Sequence, residues 1–545
     1  MLALGLFALA LFVVRLAGLP NLFDNECRLG ESVLDVVQNG NWLCPHDALG
    51  HTDKPPLLAW LSALAALVTG RVDRFTLYLP SAVATAALAG LVLAAGRRHF
   101  GWWAGFLGGL AYLASEVAAK QVATARWDAL FALTVALAAL AAFHAWTTGR
   151  GWVWFWLAGA AATLTKGPLG VLLAGAGLAA AWWERACGTP WPVRGRQAAG
   201  IGLYLALALG WFLLAWRQEG SSLVENMLGR ELLGHAIEHA PGRHFTRPLG
   251  DFFGNFAPWS AAAALAVGRT LLRPAADARE RRFERFLVCW LAGGLLVFSL
   301  APHTAARLIL PVVPAAAVLA GRELDRLTRG LPRAAVTSLA AATACLALGL
   351  ALVHYHWRER RAPDVDRTLA LERLAADVKA AVGDGFPLTV VDAPCALGLL
   401  LGARATPAPV DAAARLLAGD AAAYVAVVDA ARLRAALDPT TRVYDVGGCT
   451  TADGPYVRLV GNRPHLAWAE RMALVLGRTQ VELNRARLVH GDARRVVFTA
   501  DPAGGSVALT NLGARQLVLD MRPSPSAPWR ERTLAPGETW RLVVP

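Results

Sequence analysis

The sequence predicts a polytopic α-helical membrane domain followed by a soluble C-terminal region with an α/β part and a β-sandwich part. Three observations support this prediction. Of the 545 residues, 56% are hydrophobic and only 17% are charged, whereas a soluble domain has about 25% charged residues. The apolar residues form long runs between Met1 and about His354. After Trp357 these runs stop and charged residues become frequent.

The composition also excludes several classes of protein. A disordered chain has low hydrophobicity, and this chain is too apolar for that class. The formal net charge is +13, but the chain has no tract rich in lysine and arginine that would indicate nucleic-acid binding. We therefore attribute the positive charge to arginines that hold membrane loops in the cytoplasm, and we expect no nucleic-acid partner.

Each element of the membrane domain follows from an apolar run. A helix needs about 20 apolar residues to cross the hydrocarbon core, and about eleven runs come close to this length. These runs are residues 2–19, 77–96, 102–119, 128–146, 152–166, 168–184, 199–216, 251–272, 286–301, 306–321 and 334–354. The run 56–70 is shorter and begins with proline, so we expect a helix that lies in the membrane interface.

The arginines predict how these spans are oriented, because basic residues concentrate in cytoplasmic loops. With the N-terminus inside, the cytoplasmic loops contain Arg97, Arg98, Arg150, Arg185, Arg194, Arg196, Arg273, Arg279, Arg281, Arg282, Arg285, Arg322, Arg326, Arg329 and Arg333. The same orientation places the loops 20–76 and 217–250 outside, together with the tail from residue 355. Met1 opens directly into an apolar run, so we expect a retained first span and not a cleaved signal peptide.

The sequence does not determine how the seven cysteines pair. Cys27 and Cys44 share the first external loop, and Cys395 and Cys449 share the tail. On an oxidising side of the membrane, these two pairs would form two disulfides. Free buried thiols are the alternative.

Ionisable residues cluster on the predicted external side. Such residues are costly near a bilayer, so they indicate function or internal pairing. The clusters contain Asp24, Glu26, Arg28, Glu31, Asp35, His46, Asp53, Lys54, Arg126, Asp128, Lys166, Glu225, Arg230, His303 and Arg307. The alternatives are a solvated helix with ion pairs, a helix cap at Asp128 and a snorkelling Lys54. The segregation of these residues on one side favours an external site for an anionic lipid.

Several of these residues lie in motifs that resemble one known family. The first loop contains Asn25-Glu26-Cys27-Arg28-Leu29-Gly30-Glu31, Gly40-Asn41-Trp42, Pro45-His46 and Asp53-Lys54-Pro55-Pro56-Leu57-Leu58. In the same order follow Asp128, Thr165-Lys166-Gly167-Pro168, Glu225 to Arg230, Pro258-Trp259-Ser260, and Arg307 with Pro311. Over about residues 1–355, the chain resembles the protein-mannosyltransferase and aminoarabinose-transferase (ArnT-like) superfamily of GT-C membrane glycosyltransferases.

The resemblance implies an inverting glycosyltransferase that uses a polyprenyl-phosphate-linked sugar as donor. The acceptor would be a lipid, a glycan or a protein, reached at the external, periplasmic face of the inner membrane. The soluble tail would then lie in the periplasm. By the same resemblance, the donor phosphate would be bound by Lys54, Arg230, Arg307 and Lys166. Asp128 matches the second acidic position of the family.

The resemblance also concerns the catalytic base and a metal. Aligned without a gap, the family's catalytic aspartate falls on Asn25, whose amide cannot accept the proton. A shift of one residue would bring Asp24 to the same place, so we predict Asp24 as the base and Glu26 as the second candidate. The resemblance leaves open whether Asp53 and Glu225 bind a divalent metal ion, and it establishes no cofactor.

Two further functions remain open from the sequence. The amide at Asn25 suggests a catalytically silent relative that binds lipid-linked sugar without turnover. A flippase or transporter of lipid-linked sugar is the other alternative, although it would usually show polar groups at the bilayer midplane and repeated halves.

The tail divides into two predicted domains. Residues 356–462 form a small α/β domain, with a helix at 365–383 and buried strands at 387–392 and 424–429. Residues 463–545 form a β-rich, sandwich-like module, whose strands we expect to be antiparallel. Its role is open between acceptor or glycan binding and packing on the external surface.

Overall fold

The structure, a computed structural model, divides into two compact units, Met1–Val365 and Asp366–Pro545. It describes residues 1–19, 25–47, 52, 54–187, 197–225, 227, 245–301, 305–361, 365–382, 388–392, 396–402, 405–419, 421, 423–438, 440–441, 443–451, 454–462, 472–476, 478–491, 495–500, 505–522 and 528–544. The first unit is helical, and the second contains all the described strands.

Every predicted apolar run of the first unit contains helix. The α-helices are Leu2–Leu16, Asn25–Asn39, Leu57–Thr69, Arg74–Phe100, Trp102–Leu113, Glu116–Ala119, Asp128–Thr148, Trp152–Lys166, Leu169–Gly175, Ala179–Trp183, Ala198–Tyr204, Gly210–Glu219, Ser221–Val224, Arg247–Asn255, Trp259–Leu272, Ala278–Leu300, Val313–Leu327 and Arg333–Val353. Short 3₁₀ segments occupy Ala176–Leu178, Glu184–Cys187, Ala306–Val312 and Glu359–Arg361, and π-helical turns occupy Leu205–Leu209 and His354–Arg358.

Within the described part of the chain, five helices are long and apolar enough to cross a membrane. They are Arg74–Phe100, Asp128–Thr148, Ala198–Glu219, Ala278–Leu300 and Arg333–Arg361. Shorter apolar helices accompany them at Leu2–Leu16, Leu57–Thr69, Leu169–Trp183 and Trp259–Leu272. The number of about eleven spans therefore stays a prediction.

The boundaries of several helices follow from local sequence signals. Asp73 caps the helix Arg74–Phe100, because its side chain accepts a hydrogen bond from the backbone of Thr76. Gly149, at φ +71°, ends the helix Asp128–Thr148 in the left-handed conformation that glycine adopts without strain.

Two glycines allow three helices of this unit to touch backbone to backbone. A Cβ atom added to Gly105 would lie 2.3 Å from the carbonyl oxygen of Leu93, on the helix Arg74–Phe100. A Cβ atom added to Gly321 would lie 2.2 Å from the carbonyl oxygen of Ala104. Any larger residue at either position would force the helices apart.

The second unit begins with a five-stranded sheet in the order β2-β1-β3-β5-β4. Its strands are β1 Leu388–Val391, β2 Ala405–Pro407, β3 Tyr424–Val427, β4 Tyr444–Thr451 and β5 Gly454–Gly461. Strand β1 pairs in parallel with β2 and β3, while β5 pairs antiparallel with β3 and β4. The accompanying helices are Val365–Val382, Ala396–Leu401, Val410–Ala418 and Ala430–Ala436.

Two four-stranded sheets follow, in the orders β13-β10-β7-β6 and β12-β11-β9-β8. The strands are β6 Met472–Leu476, β7 Thr479–Asn484, β8 Ala486–Gly491, β9 Arg495–Ala500, β10 Gly505–Asn511, β11 Leu517–Arg522, β12 Arg530–Leu534 and β13 Thr539–Val544. Residues from both sheets, such as Leu509 and Phe498, share one core, which makes a sandwich. The expectation of purely antiparallel strands is wrong, because β9 and β11 pair in parallel.

The predicted disulfides are also wrong. Cys44 and Cys449 are free thiols, so neither can pair with the cysteine that shares its region. Cys27 is disulfide-bonded, but its partner is not Cys44. Burial raises the pKa of Cys44 to about 12, so this thiol stays protonated and unreactive.

Candidate functional site

A buried carboxylate, Asp128, lies at the centre of the candidate site. It occupies the first turn of the helix Asp128–Thr148 and is 5% exposed. Its Oδ1 atom lies 2.5 Å from Nζ of Lys166, the last residue of the helix Trp152–Lys166. Its Oδ2 atom lies 3.6 Å from Nε of Arg307, in the 3₁₀ segment Ala306–Val312. Three distant stretches of sequence therefore meet at one carboxylate.

A third cation, Arg126, faces the same carboxylate. Burial and the neighbouring Arg307 lower the pKa of Arg126, while Asp128 opposes this effect. The guanidinium stays charged nonetheless, because arginine is not deprotonated in proteins. The cluster thus contains three cations around one carboxylate, and this surplus of positive charge is suited to an anionic ligand.

A cavity of about 260 Å³ opens beside this cluster. Two of the cluster's cations, Arg126 and Arg307, reach its wall. The other lining residues are Arg15, Glu26, Val117, Lys120, Gln121, Thr124, Ala125, Asn255, Ala306, His354, Tyr355 and Glu359. Both charged groups and neutral hydrogen-bonding side chains are therefore available to a bound polar head group.

Glu26, the second candidate for the base, lies in the wall of this cavity but is already engaged. Its carboxylate accepts a hydrogen bond from the hydroxyl of Tyr78. It also forms ion pairs with Arg15, at 3.6 Å, and with Arg74, at 3.8 Å. A carboxylate that two cations and a hydroxyl stabilise is a poor proton acceptor. This geometry is better suited to fixing the start of the helix Asn25–Asn39.

The helix Leu2–Leu16 and the residues that follow the helix Arg333–Val353 supply a wall of the cavity that the sequence analysis missed. Nη1 of Arg15 lies 3.5 Å from a carboxylate oxygen of Glu359, and its guanidinium lies 4.9 Å from the ring centre of Tyr355. His354 lies 3.8 Å from the same carboxylate. The signal for Arg15 was a single charge inside an apolar run, which usually indicates a function or a partner.

Lys54 lies in a second, narrow crevice together with Arg28, Asp47 and Trp127. Trp127, which lines this crevice, directly follows Arg126, which lines the larger cavity. Lys54 is not one of the described residues that line the larger cavity. The structure thus divides the predicted cations between two neighbouring openings.

Five further residues were predicted at the site. Asp24, Asp53, Arg230 and His303 lie outside the described residues. Glu225 is described and its side chain is exposed. Over the part of the chain that the structure describes, no three His, Cys, Asp or Glu residues come together as a metal site would require.

One alternative from the sequence is wrong. The helix Asn25–Asn39 is not a solvated loop helix, because Glu31 is 0% exposed and Asp35 is 1% exposed. Its carboxylates instead face protein groups inside the unit.

Comparison with known proteins agrees with this architecture. Residues 53–212 match the model of the family described as dolichyl-phosphate-mannose-protein mannosyltransferase. No curated protein matches the chain. The solved structure of ArnT from Cupriavidus metallidurans bound to undecaprenyl phosphate is similar, with a TM-score of 0.65 and 20% identity over 85% of this chain and 97% of that chain. The apo state of the same ArnT gives a TM-score of 0.63 and 19% identity over the same shares.

The family match covers the segment that contains Lys54, Asp128 and Lys166. The structural match extends the likeness over most of both chains, although at this identity it concerns the fold alone. The resemblance expected from the sequence is therefore confirmed: the chain has the ArnT-like GT-C fold, and its residues 53–212 match the dolichyl-phosphate-mannose-protein mannosyltransferase model.

Proposed function

We propose that this protein is a membrane glycosyltransferase that moves a sugar from a polyprenyl-phosphate donor to an acceptor at the external face of the membrane. The observation that carries the proposal is the cluster of Lys166, Arg307 and Arg126 around Asp128, beside a cavity with polar walls. A surplus of cations is what an anionic phosphate head group requires. The similar ArnT structure contains undecaprenyl phosphate, a ligand of this class.

In the proposed reaction, an acceptor oxygen attacks the anomeric carbon from the face opposite the phosphate. The bond between the anomeric carbon and the phosphate oxygen breaks, and its electron pair leaves with polyprenyl phosphate. A base removes the proton from the acceptor oxygen. This single displacement inverts the configuration of the sugar. The cations stabilise the charge that grows on the leaving phosphate.

The described carboxylates narrow the choice of base. Glu26 and Asp128 are each held by two cations, so both are better suited to positioning than to proton transfer. We therefore keep Asp24 as the proposed base. Lys166 and Arg307 are proposed to bind the donor phosphate, with Lys54 and Arg230 from the two external loops.

The proposal includes the location of the reaction. The apolar runs predict about eleven spans, and the arginine distribution predicts an N-terminus in the cytoplasm and a periplasmic tail. The tail comprises the proposed α/β domain, residues 356–462, and the proposed β-rich module, residues 463–545. Neither is assigned a catalytic step.

The test uses purified full-length protein with a radiolabelled polyprenyl-phosphate sugar and four acceptor classes: lipid A, another glycan, a membrane lipid and a protein. We expect a new glycosidic bond with one acceptor class. Asp24→Ala and Lys54→Ala should abolish transfer while the protein stays folded. Full transfer by Asp24→Ala would remove the base assignment. Transfer by wild-type protein to none of the acceptors would contradict the proposed activity.

A second candidate is favoured by one specific observation. If Asp24 does not reach the site, the next carboxylate along the chain is Glu26, which is already engaged by Tyr78 and Arg15. The protein would then bind lipid-linked sugar without turnover. Retention of the labelled donor without a product would favour this candidate, whereas sugar crossing the bilayer without a new bond would favour a flippase.

A further inference from the structure

The motif Gly40-Asn41-Trp42 followed by Pro45-His46 has no role in the site described so far. In the structure it forms a turn that folds back onto the helix Asn25–Asn39. The Asn41 amide donates to Asp35 Oδ2 at 2.9 Å and to the carbonyl of Cys44 at 2.6 Å. The backbone N–H of His46 donates to the same Asp35 oxygen at 2.9 Å. Asp35 therefore anchors both ends of the turn.

The same turn also holds a second helix, Gly210–Glu219. The Nε2 atom of His46 lies 2.8 Å from Oε1 of Glu219. The indole N–H of Trp211 donates to the carbonyl of Leu43 at 3.0 Å, and the Gln218 amide donates to Oδ1 of Asn41 at 3.3 Å. Three side chains of one helix therefore contact this turn, and they span slightly more than two helical turns.

His46 is the residue through which the two helices meet. Its Nδ1 atom lies 3.5 Å from Oδ2 of Asp35 and its Nε2 atom faces Glu219, so the ring lies between two carboxylates. The side chain of Asp35 is 1% exposed and that of Glu219 is 13% exposed. The contact between the His46 ring and the two carboxylates is therefore largely enclosed. It is accompanied by the hydrogen bonds that Trp211 and Gln218 donate to the turn.

We propose that this turn interlocks the two external loops and that His46 is a positioning residue for donor binding. The inference rests on the proposed function. The helix Asn25–Asn39 begins next to Asp24, the proposed base, and contains Glu26. The helix Gly210–Glu219 leads, after about eleven residues, to Arg230, a proposed phosphate ligand. By holding the two described helices together, the interlock would pre-organise the chain segments that they lead into, and pre-organisation favours affinity for the donor.

The test compares His46→Ala with His46→Gln, whose side-chain amide can still donate to Glu219. His144→Ala, an exposed histidine at the other end of the helix Asp128–Thr148, is the matched control. Thermal unfolding in detergent checks that each variant is folded. Hydrogen exchange of the peptides covering 36–47 and 210–219 reports the interlock itself. Native mass spectrometry measures affinity for undecaprenyl phosphate, and initial rates give kcat and KM.

For His46→Ala, we expect faster exchange in both peptides, about tenfold weaker undecaprenyl phosphate binding, and a donor KM raised about tenfold with kcat within twofold. His46→Gln should recover most of the affinity, and His144→Ala should match the wild type. Unchanged exchange, or faster exchange with unchanged donor affinity, would overturn the inference. If the wild type shows no transfer, the proposed function fails, whereas the exchange and binding measurements still decide on the interlock.

Discussion

The two ends of the membrane unit use the same chemistry for different purposes. At the end with the cavity, Asp128 lies between Lys166 and Arg307. At the opposite end, Glu184 lies between Arg285, at 2.5 Å, and Arg281, at 3.4 Å. Both carboxylates are buried and both have two basic partners. A buried ion pair alone therefore does not identify a site.

The difference lies in where the remaining faces of the cations point. The guanidinium of Arg285 lies 4.8 Å from the ring centre of Trp183, and its side chain is 12% exposed. The side chain of Arg307 is 41% exposed and reaches the cavity. Arg285 is therefore enclosed by protein, whereas Arg307 keeps an exposed face toward the cavity that can still accept an anionic ligand. Four predictions test this distinction, in order of decreasing effect.

Asp128→Ala should reduce transfer at least about a hundredfold, which corresponds to about 3 kcal/mol. The change leaves Lys166, Arg307 and Arg126 close together without their shared counter-charge. Initial rates with labelled donor, normalised to folded protein, measure the effect. The matched control is Asp325→Ala, which removes a carboxylate paired with Arg329 and Arg333. Equal losses of activity in both variants would contradict the distinction between the two ends.

Glu184→Gln should lower stability and leave the reaction intact. Removing one partner of a buried ion pair costs about 3 kcal/mol, because the arginines keep their desolvation penalty. We expect a lower midpoint of thermal unfolding in detergent and an unchanged rate per folded molecule. A selective loss of rate without a change in the unfolding midpoint would place function at this end too.

Arg307→Ala should raise the donor KM about thirtyfold, or about 2 kcal/mol. Removing this cation weakens attraction for the donor phosphate, although Lys166 still compensates Asp128. Arg281→Ala is the control from the opposite end, and its KM should equal that of the wild type. A rise in KM that is the same for both variants would indicate a general structural effect.

Tyr78→Phe should reduce transfer about tenfold, because a hydrogen bond to a charged group contributes about 1.5 kcal/mol. The hydroxyl of Tyr78 donates to Glu26, which fixes the start of the helix next to Asp24. Tyr112→Phe is a close control, since that buried hydroxyl has no hydrogen-bond partner among the described residues. Tyr112→Phe should therefore be neutral or slightly stabilising. Initial rates of transfer by the two variants measure the effect, and equal rates for Tyr78→Phe and Tyr112→Phe would contradict the prediction.

The sequence predicted the helical elements well, because their signals are local. Helices occur within the predicted apolar runs, and the interruption between the runs 152–166 and 168–184 appears where it was expected. At the break, Gly167 has φ +103° and a new helix begins at Leu169. Such features depend on neighbouring residues alone.

Features that depend on contacts across the chain were missed. The pairing of Arg15 with Glu359 joins residues that no periodicity connects. The parallel pairing of β9 with β11 and the free thiol of Cys44 likewise depend on tertiary packing. The burial of Asp35 was not visible in its helical spacing, because its partners come from a following turn.

The close contact at Gly105 and Gly321 has an evolutionary consequence. Where main chains touch directly, the backbones themselves set the spacing of the three helices, and a larger side chain at either glycine would push them apart. Relatives with little identity can then keep one architecture, provided that these two small residues persist.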